Sequence, residues 1–483
     1  YKRQVSACEA ATPPCDGWAL VNEDVARWDP MDPVATIPDA TGTFPFDPEP
    51  PALAALEPSL LMTAGPVLRR LSARSGKRWR LPDSAPGFGS NAWGVAAEHS
   101  ATGHPLVAND AHQPLQMPSI FYENHLVVSG DPGMNLSGTT FPGIPLVLTG
   151  LNDCIVWGAT VNYSDRSDSF LDRLLRDAPG CPARFCIESE GELHPVEERA
   201  ETYRYHNFPY LGVPDDLADG TFIVRAGAPE TVDVLTVPFR SFGPVVRVED
   251  RSVIDDPAPS SLETAVVTLQ YAGLHGTRES EALALWARAQ DVFDFRDGVE
   301  LFAGVSQNWV VGDVEENLAY FTSGEIPLRA DLEAGSVVDR PNTLQDGSGP
   351  NNWISDPTRF QGQTIPYQVL AFDEMPQTVN PANGFVVTAN NDPAGALLDN
   401  DPLNQYRLGR SSIYYAKDWD NTASLRAGRI TRLLREKIDA GEKISLDDMK
   451  RIQANTQQLD AELMMPFLLQ AGANAEAPGA PVQ

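Results

Sequence analysis

From residue 90 onward, apolar and polar positions follow one another in short runs. "NAWGVAAEHS", "HPLVAND", "FYENHLVVSG", "GIPLVLTG", "CIVWGATV", "FIVRA" and "AVVTLQY" are each of strand length and bounded by turn-forming residues. The first two read as a hairpin whose first strand begins at Ser90, and "NWVVGDVEENLAYFTSG" predicts another that turns at Glu315–Asn317. The period lengthens to that of a helix in "RESEALALWARAQDVFDFRDGVELFAG". It does so again after residue 420, where Leu425, Ile430, Leu433, Leu434 and Ile438 share one face. "SLDDMKRIQ" opens with Ser445 and carries Asp448 three residues on, the pattern of a capping box. Strands and helices come in separate runs, which predicts an α+β fold and not a doubly wound sheet.

The first 89 residues have another texture. Pro and Asp crowd residues 1–60, which read as loop or linker; a helix is expected through "LLMTAGPVLRRLSARSG" before the Pro-Gly-rich "LPDSAPGFG". At the other end, "QAGANAEAPGAPVQ" has no pattern, so residues 471–483 are expected to form an unstructured tail.

Composition removes several classes of function. With 36 Lys and Arg against 66 Asp and Glu, the formal charge of −30 repels phosphates, and no basic stripe offsets it, so nucleic acid is not expected as a partner. No apolar run reaches about 18 residues, so no membrane span is expected either. Five cysteines, paired in sequence as Cys8/Cys15 and Cys181/Cys186 with Cys154 apart, suggest two small disulfide loops and a periplasmic or secreted location; five buried thiols are the alternative.

The chemistry centres on "GFGSNAWGV". Phe88 and Ala92 flank Ser90 where a nucleophile elbow requires glycines, and no phosphate loop is present. A Gly-Ser step in a tight loop offers another route. The hydroxyl of Ser90 can attack the carbonyl of Gly89, and hydrolysis of the resulting ester frees Ser90 as an N-terminal residue. Its α-amine, with an ordinary pKa of about 7.7–8.0, can then serve as the base for its own hydroxyl. Read without its neighbours, Ser90 is a turn serine.

The neighbours change that reading. "GSNAW" from Gly89, "ANDAH" ending at His112, "PSIFYENHL", "FPGIPLVLTGLND", "WGATV", "SQNWVVGDVEENLAYFTSGEIPLR" and "TANNDP" come in one order across roughly 90–465. In these blocks the chain resembles the penicillin acylase family of N-terminal nucleophile hydrolases, nearer its cephalosporin and acyl-homoserine lactone acylase branches. The resemblance implies a four-layer αββα fold, with residues 1–89 as the end of a small chain plus spacer and 90–470 as the catalytic region of a truncated large chain. It implies an α/β heterodimer cut from one precursor, acting on a small N-acyl amide such as an acyl-homoserine lactone, a β-lactam or a lipopeptide side chain, without an organic cofactor.

Carried over by position, the resemblance makes Ser90 the nucleophile and base, and Val161 N–H with the Asn390 side chain the oxyanion hole, Asn390 being preferred to Asn391. It places His112 beside the nucleophile and makes Arg426 the residue that orders the asparagine. It also implies structural Ca²⁺ held by Asp165, the Ser167 carbonyl, Asp168 and Asp401, a set of hard oxygen ligands. Gln113 and Thr149 stand where benzylpenicillin acylases carry aromatic residues, which points to a linear or more polar acyl group. The competing expectation is an uncleaved or truncated calcium-binding extracytoplasmic protein of the same fold.

Overall fold

The structure, a computed structural model, describes residues 36–37, 89–206, 230–334, 344–356, 367–394, 406–407, 410–411, 414 and 425–476, apart from positions 115, 132, 241, 242, 275 and 458. The helix expected at 60–76, the strand at 222–226, Cys8, Cys15 and Asp401 lie outside them.

Three antiparallel strands carry the start of the catalytic segment. Gly89–Val95 (β1) is central, with Leu106–His112 (β2) on one side and Phe385–Thr388 (β18) on the other. Alternation divides β1 between two environments. Ala92 packs with Val310, Leu318, Tyr320 and Val386, while Trp93 and Val95 pack with Ala427, Ile430, Leu434 and Met449.

The first group faces a second sheet of seven strands. In order of pairing these are Gln377–Val379 (β17), Leu318–Thr322 (β15), Gln307–Asp313 (β14), Ile155–Val161 (β6), Thr149–Leu151 (β5), Met134–Thr140 (β4) and Tyr122–Val128 (β3). On its far side lie helices Glu279–Trp286 (α1) and Val292–Leu301 (α2), the latter capped by Asp291, whose carboxylate accepts the N–H groups of Phe293 and Asp294. Trp286, Phe295, Phe302 and Trp309 interlock there with ring centroids 4.6–5.9 Å apart. Each fully buried aromatic side chain of this kind contributes roughly 1.5–3 kcal/mol.

The second group on β1 faces helices Leu425–Asp439 (α3) and Leu446–Gln453 (α4). Ser445 and Asp448 form the expected capping box at the start of α4. Helices, sheet, sheet and helices thus stack in four layers, the αββα order of an α+β protein.

A third sheet holds Ser167–Arg176 (β7), Phe185–Ser189 (β8), Glu192–Pro195 (β9), Glu197–His206 (β10), Glu230–Arg240 (β11), Gly243–Val248 (β12) and Glu263–Tyr271 (β13), with Leu344–Asp346 (β16) parallel to β7. Cys186 of β8 is disulfide-bonded to Cys181 in the loop between β7 and β8, and Cys154 is a free thiol.

Two expectations are corrected. "GIPLVLTG" is a strand only from Thr149, because Pro145 interrupts pairing and Leu146 takes a φ of 65°. Helix Leu459–Glu476 (α5) runs six residues into the segment read as an unstructured tail. Those six, Ala-Gly-Ala-Asn-Ala-Glu, hold three alanines, the best helix former, which extend a turn already begun. No helix among the described residues is long and apolar enough to cross a membrane.

Candidate functional site

Gly89 and Ser90 are the first two residues of β1, and the Ser90 side chain is buried on the same face as Ala92, toward the seven-stranded sheet. The Ser90 N–H donates to Asn390 Oδ1 at 2.7 Å. The Ser90 carbonyl accepts from Arg426 Nη1 at 2.7 Å. Both backbone groups of the serine are therefore held by side chains from distant segments. A Cβ on Gly89 would lie 2.8 Å from Arg426 Nη2 and 3.1 Å from Asn390 Oδ1. Only glycine lets the chain pass so close to this pair.

Asn390 follows the last strand of the first sheet and has a φ of 61°, a conformation that asparagine tolerates better than other side-chain-bearing residues. The turn aims its amide at β1 and β6 at once. Oδ1 accepts from Ser90 and from Arg426 Nη2 at 2.9 Å, and Nδ2 donates to the Val161 carbonyl at 2.8 Å. Asn391 turns away, accepting the Ala389 N–H and donating to Thr36.

Val161 ends β6. The next residue, Asn162, donates its N–H to the Ser306 carbonyl, so by the alternation of an antiparallel ladder the Val161 N–H points away from β14, along the edge where its carbonyl meets Asn390. Arg426, near the start of α3, also donates to Asn91 Oδ1 at 2.6 Å. Burial lowers its pKa, partly offset by Tyr163 and Asp110; a guanidinium stays charged regardless.

His112 pairs with Gly89 across the ladder, and Ser90 pairs with Ala111. Opposed residues share a face, so the imidazole lies with Asn91 and Asp110 on the helix-facing side, one pleat from the Ser90 hydroxyl. Its Nε2 is 3.1 Å from Asp110 Oδ2 and 3.3 Å from Asn91 Nδ2. Ser90, Val161, Asn390 and Arg426 converge directly, and His112 joins them only through Asn91.

Several residues of the site were not singled out from sequence. Asn109 Nδ2 donates to the Asn91 carbonyl on β1 at 3.1 Å and to the Ala159 carbonyl on β6 at 2.8 Å. Gly158 leaves the space it needs, since a Cβ there would come within 2.7 Å of Asn109 Cβ. Below it, Tyr320 donates to Asn308 at 2.5 Å, Asn308 donates to Thr160 at 2.9 Å, and Thr160 bonds Thr388 at 2.9 Å. Burial pushes the Tyr320 phenol well above its ordinary pKa, so it remains a donor. The only sequence signal was position within the "ANDAH", "WGATV", "SQNWVVGDVEENLAYFTSGEIPLR" and "TANNDP" blocks.

The expected calcium ligands are arranged around an arginine. Arg329 Nε donates to Asp168 Oδ2 at 2.8 Å, and Nη2 lies 3.2 Å from Asp165 Oδ2. Asp168 also accepts from Gln345 Nε2 and Trp353 Nε1, both at 2.5 Å. Burial works against the charge of Arg329, but Asp165 and Asp168 outweigh it and raise its pKa. Ser167 is exposed at the start of β7, and Asp401 lies outside the described residues. Among the described residues no cluster of three acidic, His or Cys side chains could hold a metal. A calcium ion takes about six to eight oxygens at about 2.3–2.6 Å, and these carboxylates are committed to a guanidinium.

A four-layer αββα core whose central strand opens on a buried serine is the N-terminal nucleophile hydrolase fold. Residues 10–482 match the family model described as penicillin amidase, and the chain belongs to that family. It is similar in fold to the thermostable penicillin G acylase of Alcaligenes faecalis, with a TM-score of 0.54 and 18% identity over 81% of this chain and 56% of that one. It is 26% identical to penicillin acylase 2 proenzyme of Pseudomonas sp. strain SE83 over 64% of this chain and 32% of the relative. It is 25% identical to acyl-homoserine lactone acylase PvdQ of Pseudomonas fluorescens over 79% and 44%. A shorter match, 34% identical to acyl-homoserine lactone acylase QuiP of Pseudomonas aeruginosa, covers 24% and 13%. The chain thus spans less than half the length of these curated relatives.

Proposed function

We propose that this chain is the catalytic region of an N-acyl amide hydrolase that cleaves its own backbone between Gly89 and Ser90 and then uses the freed serine. The observation that carries the reading is the clamp on Ser90: its N–H on Asn390 Oδ1 and its carbonyl on Arg426. In self-cleavage, Ser90 Oγ attacks the Gly89 carbonyl carbon, the C–N bond breaks, and the nitrogen takes the hydroxyl proton. Water then hydrolyses the ester, leaving a Gly89 carboxylate and a Ser90 amine, and the two products stay together as an α/β heterodimer.

In turnover the Ser90 amine takes the proton from Oγ as Oγ attacks the substrate's amide carbonyl. The oxyanion is held by the Val161 N–H and by Asn390 Nδ2, whose two hydrogens allow one to stay on the Val161 carbonyl. The leaving amine receives the proton, and water converts the acyl-Ser90 ester to the acid. Apart from the substrate and water, these steps use groups of the chain.

The names of its relatives support a penicillin, an acyl-homoserine lactone or a similar N-acyl compound as substrate. Thr149, hydrogen-bonded to Thr139, and exposed Gln113 favour a linear or polar acyl group over a phenyl ring. The Cys181–Cys186 disulfide supports a periplasmic or secreted location.

Intact mass and N-terminal sequencing test the reading. The protein is expected as two chains, one beginning Ser-Asn-Ala-Trp, with Ser90→Ala remaining whole. Normal cleavage of Ser90→Ala at this bond would overturn it. An intact bond in a folded wild-type protein without turnover would favour the non-catalytic alternative.

A further inference from the structure

We propose that Arg329 is a built-in cation: its guanidinium sits between Asp165 and Asp168 and does there what a divalent metal would do, making the fold independent of calcium. The inference concerns stability and stands apart from the acylase reading.

Asp165 and Asp168 lie where the chain leaves β6, at Val161, and crosses to β7. Two carboxylates that share one guanidinium, Asp168 buried and Asp165 half-buried, would repel without the positive charge between them. Arg329 supplies it from the loop after β15, and every nitrogen of its fork is used. Nε bonds the Asp168 carboxylate, Nη2 lies against the Asp165 carboxylate and 3.4 Å from its carbonyl, and Nη1 donates to the Pro327 carbonyl at 3.4 Å. The Arg329 N–H is itself fixed on the Tyr414 hydroxyl at 3.1 Å. Gln345 and Trp353 complete the shell around Asp168 and bring in the β16 segment. One side chain thus joins the crossover, β7 and the loop after β15.

Geometry argues against a metal beside it. Arg329 and Asp168 are each 1% exposed, and both Asp168 oxygens already accept from protein donors. A second buried guanidinium, Arg166, occupies the same crossover and donates to the Ala303 and Glu325 carbonyls at 2.9 and 3.1 Å. A divalent ion at the two carboxylates would meet the fixed positive charge of Arg329.

Thermal melting of the full chain, with EDTA or with calcium chloride, tests the proposal without reference to activity. Wild-type Tm is expected to be the same in both, and calorimetric titration with calcium to give no binding heat. Arg329→Ala uncovers two carboxylates, and its Tm is expected to fall by roughly 5 °C in EDTA and to recover in part with calcium. Should that variant fail to fold, Arg329→Lys, which keeps the charge and loses the fork, is expected to fold with a smaller drop and to remain indifferent to calcium. A wild-type Tm that falls in EDTA would overturn the proposal. So would an Arg329→Ala protein that melts like wild type, or one that loses stability and gains nothing from calcium.

Discussion

Asn390 holds Ser90 across 300 residues of sequence, accepting its N–H at 2.7 Å while donating to Val161 at 2.8 Å. One amide therefore spans the nucleophile strand and the strand end that faces it. Asn390→Asp keeps the acceptor and removes the donor. Cleavage at Gly89–Ser90 should continue, while kcat falls by about 10²-fold or more, the usual cost of losing an oxyanion donor. Mass spectrometry and steady-state kinetics on the same preparation separate the two effects, and an unchanged kcat would remove Asn390 from the oxyanion hole.

Gly89 is constrained by its neighbours and not by its backbone angles. A methyl group there pushes on Arg426 and Asn390. Gly89→Ala should slow self-cleavage, on the order of 10²-fold for a displacement near 1 Å. Once cleaved, the variant should turn over normally, because residue 89 is no longer joined to the nucleophile. Equal rates of chain appearance in variant and wild type would contradict the packing argument.

Arg426 meets three acceptors with one planar fork: the Ser90 carbonyl, Asn91 Oδ1 and Asn390 Oδ1. Lysine offers a point charge of similar sign but not that geometry. Arg426→Lys should cost about 1.5–3 kcal/mol in kcat/KM, the range for losing a hydrogen bond to a charged group. The drop should appear in kcat; a change confined to KM would make Arg426 a binding residue.

The α4 cap gives an acid limb to stability. Burial opposes the charge of Asp448, but bonds from the Ser445 hydroxyl and N–H, Arg451 and Lys437 overcome it and hold its pKa below the ordinary carboxylate range. A depressed folded-state pKa stabilises above the unfolded value, about 3.9, and that stabilisation is lost as pH falls below it. Denaturant melts of wild type and Asp448→Asn should therefore differ at pH 7, and the difference should begin to shrink below about pH 4 and go on shrinking as the pH falls further. A constant difference would assign the effect to packing.

Much of this architecture could be read from local sequence. The strand beginning at Ser90, the turn at Glu315–Asn317 and the Ser445–Asp448 box all depend on neighbours within a few residues. The convergence of Ser90, Val161, Asn390 and Arg426 came from the order of blocks, since nothing local marks an asparagine or an arginine as a partner of a distant serine. What stayed hidden was polar burial. β7 carries Asp168, expected as a calcium ligand, and Asp172 and Arg176, which the sequence did not single out. All three are buried, paired with Arg329 161 residues away, with Thr268, and with the Val253 and Asp256 carbonyls. The carboxylates were visible in the sequence; the cation that answers them was not.

The chain of hydrogen bonds from Tyr320 through Asn308 and Thr160 to Thr388, with Asn109 bridging β1 and β6 above it, works as a key between two otherwise slippery surfaces. Apolar faces alone would let the sheets slide against each other at little cost. Each polar pair fits only one alignment, and a shift by a single residue would strand several donors and acceptors out of reach of water. The distance between the nucleophile strand and the end of β6 is thus fixed from inside the sandwich, before any substrate arrives.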